Sequence, residues 1–339
     1  MNIRSFLLSA GPAIGAITGA QAADAVPVAE PEPVEYVRVC EAYGAGFFYI
    51  PGTETCLKVS GYVRYDARGG DNVYKGDEFG TWQKTSRATM RFDARSETEL
   101  GTLRSYAETR SVFANAVQST GLSHAYIELG GFRIGETDSR FNTWTGSAGN
   151  VVADDIVDYA GDATNQISYT FVGGKGFSAM IGAEQGDSLH MINGYMPHVV
   201  AGAKFQQGWG AVSAVGGYDV ASEEFAGKVR LDVKFTGPVT AFVMAGYQSD
   251  PDKPNYYGAW NGDYALWGGL SAKISSKATV SGQVAYEQEG TFAAALNLAY
   301  EIVPGFVITP EIEYTSFGGD RGNGHDHAIG GIVRFQRNF

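Results

Sequence analysis

From Leu57 onward the chain alternates. In residues 57–68, Leu57, Val59, Gly61, Val63 and Tyr65 fall on one face, and Lys58, Ser60, Tyr62, Arg64, Asp66 and Arg68 on the other. Residues 224–235 repeat the pattern, with Phe225, Val229, Leu231, Val233 and Phe235 against Glu224, Lys228, Arg230, Asp232 and Lys234. A period of two marks β-strands with two unlike faces. Read this way, strands fall at 57–68, 87–97, 102–110, 122–130, 132–137, 166–172, 177–185, 199–205, 210–219, 224–235, 239–248, 263–274, 279–288, 292–302, 306–317 and 328–339, sixteen in all. The connections alternate too. Seven are short (98–101, 130–131, 173–176, 206–209, 236–238, 275–277, 303–305), and the others are mostly longer and polar, such as 69–84 and 250–262. An even strand count with short turns at one rim and long loops at the other predicts an all-β fold, a 16-stranded antiparallel transmembrane β-barrel.

Aromatic placement agrees. Phe132, Phe171, Phe177, Phe205, Phe235, Phe306 and Phe339 sit on apolar faces beside short turns or at the C-terminus, while Tyr218, Tyr247, Tyr264, Tyr286 and Tyr314 lie near the longer loops. Two such belts form where amphipathic rings meet lipid headgroups. Mean hydropathy is −0.14. That value suits an alternating wall, whose two faces cancel in the mean.

One stretch breaks the pattern. Residues 138–165 show no sustained period of two and carry Asp138, Asp154, Asp155, Asp158 and Asp162. A loop beyond about 15 structureless residues is uncommon and usually functional. The reading is an inward-folded third loop whose carboxylates form the acidic side of a pore constriction.

The chain start divides differently. Residues 1–22 read as a signal peptide: a short basic start, a small-residue apolar run from Phe6 to Ala20, and an Ala20-Gln21-Ala22 cleavage site. Residues 23–56 form an N-terminal extension, and 57–339 the β-barrel pore. The extension begins as a Pro/Val/Glu-rich tether at 24–35 and ends with Cys40 and Cys56, the two cysteines of the chain. In an exported protein these most simply form one disulfide. The formal charge of −12 argues against a nucleic-acid partner, which calls for basic patches.

The segment from Tyr49-Ile50-Pro51-Gly52-Thr53-Glu54-Thr55-Cys56 through Leu57-Lys58-Val59-Ser60-Gly61-Tyr62-Val63 resembles the alphaproteobacterial general porins, in particular the Brucella-type major porins; so does the C-terminal run Gly330-Gly331-Ile332-Val333-Arg334-Phe335-Gln336-Arg337-Asn338-Phe339. The resemblance covers essentially the whole mature chain. It implies a homotrimer in the Gram-negative outer membrane, set in outer-membrane lipid and lipopolysaccharide, that passes small hydrophilic solutes and ions by passive diffusion. Two departures stand out. The Pro-Glu-Phe-Gly-Gly loop signature of enteric porins is absent, and the region 114–121 is too short for a long loop latching onto a neighbouring subunit.

Candidate chemistry lies on the polar faces of the first five strands. Arg64, Arg87, Arg91, Arg104, Arg110 and Arg133 form the expected basic pore wall, with Arg104, like Arg95, nearer the short-turn rim. Opposed charges at a narrowing set selectivity and focus the field. On the opposite face, Ser105, Ala107, Thr109, Ser123 and Ala125 are too small and polar for good lipid contact and mark a subunit interface. No cofactor is implied and no enzyme is read. His325-Asp326-His327 is better explained as polar loop than as a metal site, the third-loop carboxylates lack EF-hand spacing, and His124, near Glu108 and Glu128, has no nucleophile beside it. Two alternatives stay open: a sugar-selective channel using lumen aromatics such as Tyr62 and Tyr106, and a structural or adhesive barrel with a closed lumen.

Overall fold

The alternating segments pair in chain order into one closed antiparallel sheet. A computed structural model describes residues 38–159, 161 and 163–339. The expected signal peptide, the tether at 24–35 and Asp162 lie outside the described residues. A two-residue strand β1 (Phe48–Tyr49) precedes the wall, which comprises β2 (Cys56–Gly70), β3 (Gln83–Thr98), β4 (Gly101–Ala114), β5 (Val117–Leu129), β6 (Phe132–Asp138), β7 (Ala163–Val172), β8 (Phe177–Glu184), β9 (His198–Gln207), β10 (Gly210–Asp219), β11 (Glu224–Lys234), β12 (Val239–Gln248), β13 (Tyr264–Lys273), β14 (Ala278–Glu287), β15 (Phe292–Val303), β16 (Phe306–Ser316) and β17 (His327–Asn338). These sixteen strands each pair with the next, and β17 pairs with β2 from Gly330↔Gly70 to Asn338↔Tyr62, which closes the ring. Gly61 and Phe339 exchange both backbone hydrogen bonds at 3.0 Å, so pairing runs to the last residue.

The two faces are as unlike as the sequence suggests. Val229, Val243 and Ile312 are 56%, 58% and 59% exposed, while their neighbours Lys228, Met244 and Glu311 are buried. Apolar side chains therefore cover the outward face, and the inward face is mostly polar with an occasional apolar residue such as Met244, the arrangement a barrel needs in lipid. Of the expected girdle residues, Phe132, Phe171, Phe177, Phe205, Phe235, Phe339, Tyr218, Tyr247, Tyr264, Tyr286 and Tyr314 are exposed, and Phe306 is half-buried. A cylinder standing in water would bury such rings.

Two local readings need correction. Residues 110–121 are not a strand end and a loop. β4 and β5 continue as a hairpin to Ala114↔Val117, turning on Asn115 and Ala116 at φ 51° and 61°. Two positive φ values are what a two-residue type I′ connection requires. The register also shifts between Glu108 and Thr109, so that Glu108 faces His124 but Thr109 faces Leu122. Ser123 is the extra residue of this β-bulge and has no cross-strand partner. A bulge resets the alternation, so parity counted along the sequence could not place it.

Cys40 and Cys56 form a disulfide. Together with Phe47 they make a small buried cluster, against which Tyr43 and Tyr49 pack. The Tyr43 hydroxyl donates to Glu97 at 2.7 Å, and Lys58 Nζ donates to the Ala45 carbonyl at 3.1 Å. The closed loop is thereby seated on the short-turn ends of β2 and β3. Closing ~15 residues stabilises by roughly 3 kcal/mol in the chain-entropy model.

The outward face of β12 makes a direct prediction. Val243→Arg should destabilise the barrel by ~2–4 kcal/mol when it is unfolded by urea from lipid vesicles, the cost of a cation near the bilayer midplane. An unchanged midpoint would mean that Val243 does not face lipid.

Candidate functional site

The segment between β6 and β7 begins with a structure the alternation could not announce. Helix α1 (Arg140–Thr145) is capped by Ser139, whose Oγ accepts from Phe141 N at 3.1 Å. Ser139 Oγ in turn donates to Glu184 Oε2 at 2.8 Å, and Arg140 N donates to Glu184 Oε1 at 2.7 Å. A carboxylate on β8 thus takes up donors at the helix start that would otherwise be unpaired. Trp144 lies on Gly202 of β9, where an added Cβ would stand 2.6 Å from the indole. Gly246 of β12 receives Trp260 from a later loop in the same way, at 2.7 Å. Glycine at these inward positions makes room for loop aromatics.

From Ser147 onward the segment is held to the polar face of the far wall, mostly through its own backbone. Arg230 Nη1 on β11 donates to the Ser147 carbonyl at 2.6 Å. Asn297 on β15 donates to Asn150 O at 3.0 Å, Gln283 on β14 to Asp154 O at 2.8 Å, and Trp267 Nε1 on β13 to Val157 O at 2.9 Å. Glu311 on β16 accepts from Val152 N at 2.6 Å and from Ala153 N at 2.8 Å. Lys228, fully buried on β11, donates to the Tyr159 carbonyl, and its ammonium stands 4.5 Å from the Phe141 ring centre. Every one of these wall side chains supplies what water would otherwise supply to an irregular backbone.

The expected carboxylates occupy distinct places. Asp138 ends β6 and is half-buried. Asp154 accepts from the Tyr159 hydroxyl at 2.8 Å, Asp155 from the Tyr74 hydroxyl at 2.7 Å, and Asp158 from Tyr159 N at 2.7 Å. Burial pushes the Asp154 carboxyl up to about 6. The Tyr159 hydrogen bond opposes this shift, while the charges of Asp155 and Glu311 add to it.

The arginines form an arc on β2 to β6, across the ring from the strands that grip the segment. Most have a carboxylate on the same wall. Arg91 meets Glu108 at 2.6 Å; Arg104 bridges Asp93 at 3.0 Å and Glu128 at 2.8 Å; Arg133 reaches Glu128 at 2.7 Å, and Arg110 reaches Glu108 at 3.5 Å. Arg95 also binds Asp93, at 2.7 Å. Arg64 donates to Gln336 at 2.7 Å, and Arg87 lies directly opposite it in register. Below residues 146–150 a cavity of about 430 Å³ opens, lined among others by Ser147, Lys204, Arg230, Asp232, Lys234 and Phe242.

A closed barrel, a long wall-held segment and an arc of lumen charges describe a pore wall. The family model described as "Porin subfamily" matches residues 24–334. The chain belongs to this porin family. Porin Omp2b of Brucella suis biovar 1 and Porin Omp2b of Brucella abortus are each 48% identical to it over 362 residues, covering 100% of both chains. Among solved structures, the outer membrane channel DcaP of Acinetobacter baumannii superposes with a TM-score of 0.66 at 18% identity, over 86% of this porin and 99% of that chain. OprB of Pseudomonas putida superposes with a TM-score of 0.63 at 10% identity, over 84% and 94%. The protein is an integral outer-membrane β-barrel that forms a channel.

Of the porin's expected interface residues, Ala107 and Ala125 stand directly opposite each other, and Ser105 faces Ile127. Sequence reasoning set Asp93, Glu108 and Glu128 at the same parity as the arginines but gave them no part in the pore wall. It also gave no role to Glu184, Lys228 and Glu311. Their polar-face parity was legible, but not that a distant backbone would come to them.

Glu311→Ala would leave the Val152 and Ala153 amides without their acceptor. Losing hydrogen bonds to a charged group costs ~3 kcal/mol, about a hundredfold in local opening. Hydrogen exchange across 150–157 should accelerate accordingly while that of the strands holds. Unchanged protection there would show that other contacts fix the segment.

Proposed function

We propose that this porin is a general-diffusion channel for small hydrophilic solutes and ions, with the segment between β6 and β7 folded into the lumen as its constriction. The observation that supports this reading most directly is the set of hydrogen bonds from the inward face of β11 to β16 to the backbone of residues 147–159. In this reading Asp138, Asp154, Asp155, Asp158 and Asp162 furnish the acidic side. Arg64, Arg87, Arg91, Arg104, Arg110 and Arg133 furnish the basic wall. Such a transverse field orients water and disfavours apolar solutes, whose passage must displace that water.

The sugar-selective alternative needs free aromatic faces. The Arg64 guanidinium lies 4.7 Å from the Tyr62 ring centre, Arg104 4.9 Å from that of Tyr106, and Arg133 4.8 Å from that of Tyr126. Cations already occupy these rings, which favours the unselective reading. We further infer a homotrimer, seated in outer-membrane lipid and lipopolysaccharide, joined through the small-residue face of Ser105, Ala107, Thr109 and Ala125. No catalytic step belongs to this function.

In planar bilayers the folded protein should give large ohmic steps grouped in threes. Silence in pure, folded samples, or block by neutral sugars at low concentration, would overturn the reading. The acidic side should also titrate. With a carboxyl at about 6, Asp154 is mostly charged at pH 7 and mostly neutral at pH 5. Preference for cations over anions, read from the reversal potential in a salt gradient, should therefore fall between those pH values. Asp154→Asn should remove the step, and a step that persists in that variant would place its origin elsewhere.

A further inference from the structure

The geometry points to an oxyanion subsite on the basic wall of this channel, built on Arg64 and Arg87 and suited to small solutes that carry a double negative charge. The inference deepens the diffusion reading above and rests on it. The pairing pattern of the arc singles these two residues out. Arg91, Arg104, Arg133 and Arg334 each have a carboxylate within 3.0 Å. Arg64 and Arg87 have none within 4.0 Å among the described residues. The register nevertheless sets them directly opposite each other on neighbouring strands. Like charges in that position destabilise a sheet, so the pair is a poor choice for structure alone. An anion between the two guanidiniums would reverse the sign of the interaction.

The surroundings fit this occupant. Arg64 Nε is engaged with Gln336, a neutral partner that leaves the positive charge uncompensated. Arg87 Nε is buried and has no hydrogen-bond partner. On the β17 side of Arg64 a cavity of about 260 Å³ lies between wall and loop, lined among others by Arg64, Arg334, Gln336, Asn297, Asn150 and Val152; Arg87 flanks Arg64 from the other strand, β3. That space suits a solute of a few heavy atoms, and it borders residues 150–152, the part of the loop that reaches this stretch of wall. Arg334 adds charge but is already bound to Asp66 at 2.8 Å. Guanidinium forks bind carboxylates and phosphates through paired, charge-assisted hydrogen bonds, and two forks side by side favour a dianion over a monoanion. Passing dicarboxylates and phosphates would then dwell on the wall, where chloride and neutral solutes slip by.

Single-channel recording in potassium chloride tests this, with malonate and inorganic phosphate as probes and acetate as the monoanion. Malonate and phosphate should interrupt the current at low millimolar concentration, and acetate should need about tenfold more. Arg64→Gln and Arg87→Gln should each raise the half-blocking concentration of malonate about tenfold, with block scored against each variant's own open current. Arg64→Lys, which keeps the charge but not the fork, should fall between. A channel that conducts yet shows no malonate block, or whose block is unchanged in both glutamine variants, overturns the subsite and leaves the diffusion reading standing. A folded protein that does not conduct at all overturns the diffusion reading, and the subsite with it.

Discussion

Hydrocarbon offers no hydrogen bonds, so a chain crossing a membrane must pair every backbone amide and carbonyl with itself. For strands the only complete solution is a ring. This constraint explains why β17 pairs with β2 to the final residue and why the outward face is apolar along most strands, the small-residue face of β4 and β5 excepted. It also identifies the weak point of the wall. β6 ends at Asp138, where the chain leaves for the loop, and β5 pairs with it only from Ala125 to Leu129. Among the described residues, 117–122 of β5 therefore have β4 on one side and no strand on the other. An open edge is not tolerated in lipid. The edge lies on the same strands as Ser105, Ala107, Thr109 and Ala125, and the proposed trimer would cover edge and small-residue face together.

The same accounting governs the loop. Once inside a cylinder, an irregular segment keeps its carbonyls and amides but loses most of its access to water, and the polar face of the wall takes over. The spacing is regular: carbonyls of residues 147, 150, 154, 157 and 159 each find a wall donor, and the amides of 152 and 153 share one carboxylate. The wall is thus polar for two reasons, to be wet where solute passes and to bind backbone where it does not. Buried Lys228 belongs to the second group. Its ammonium faces a carbonyl and the rings of Phe141 and Tyr159, so it anchors the loop rather than facing the lumen.

What could be read from the sequence follows the same division. Period two is a property of neighbours along the chain, so strand number, strand order and face were legible from residues such as those of β11. The bulge at Glu108/Thr109 was not, because an inserted residue is visible only against its partner strand. The 110–121 hairpin was hidden because Asn115-Ala116 is not a usual type I′ pair. Helix α1 is six residues long, too short for its own periodicity to show. Its cap on Glu184 joins residues 45 and 44 positions apart. The disulfide needed only two cysteines and an exported chain. The pairing of Arg104 with Asp93 and Glu128 needed the register.

That pairing changes how the field across the pore arises. Asp93 and Glu128 each serve two arginines, so Arg95, Arg104 and Arg133 together keep three positive charges against two negative ones. Arg91 and Arg110 share Glu108, again leaving one in excess. An ion pair has a short reach, and its field is screened within about 8–10 Å in physiological salt. In the proposed channel the arc would therefore act through its surplus, concentrated where Arg64 and Arg87 meet, and not through the full row of arginines. On the loop side, Asp154 and Asp155 are met by tyrosine hydroxyls, which orient a carboxylate without cancelling its charge. On the proposed reading few groups set the balance between the two sides, and one of them, Asp154, has its carboxyl pushed up to about 6 by burial. In that proposal single protons and single substitutions adjust selectivity, while the barrel that carries it is fixed by the many backbone pairs of a closed sheet.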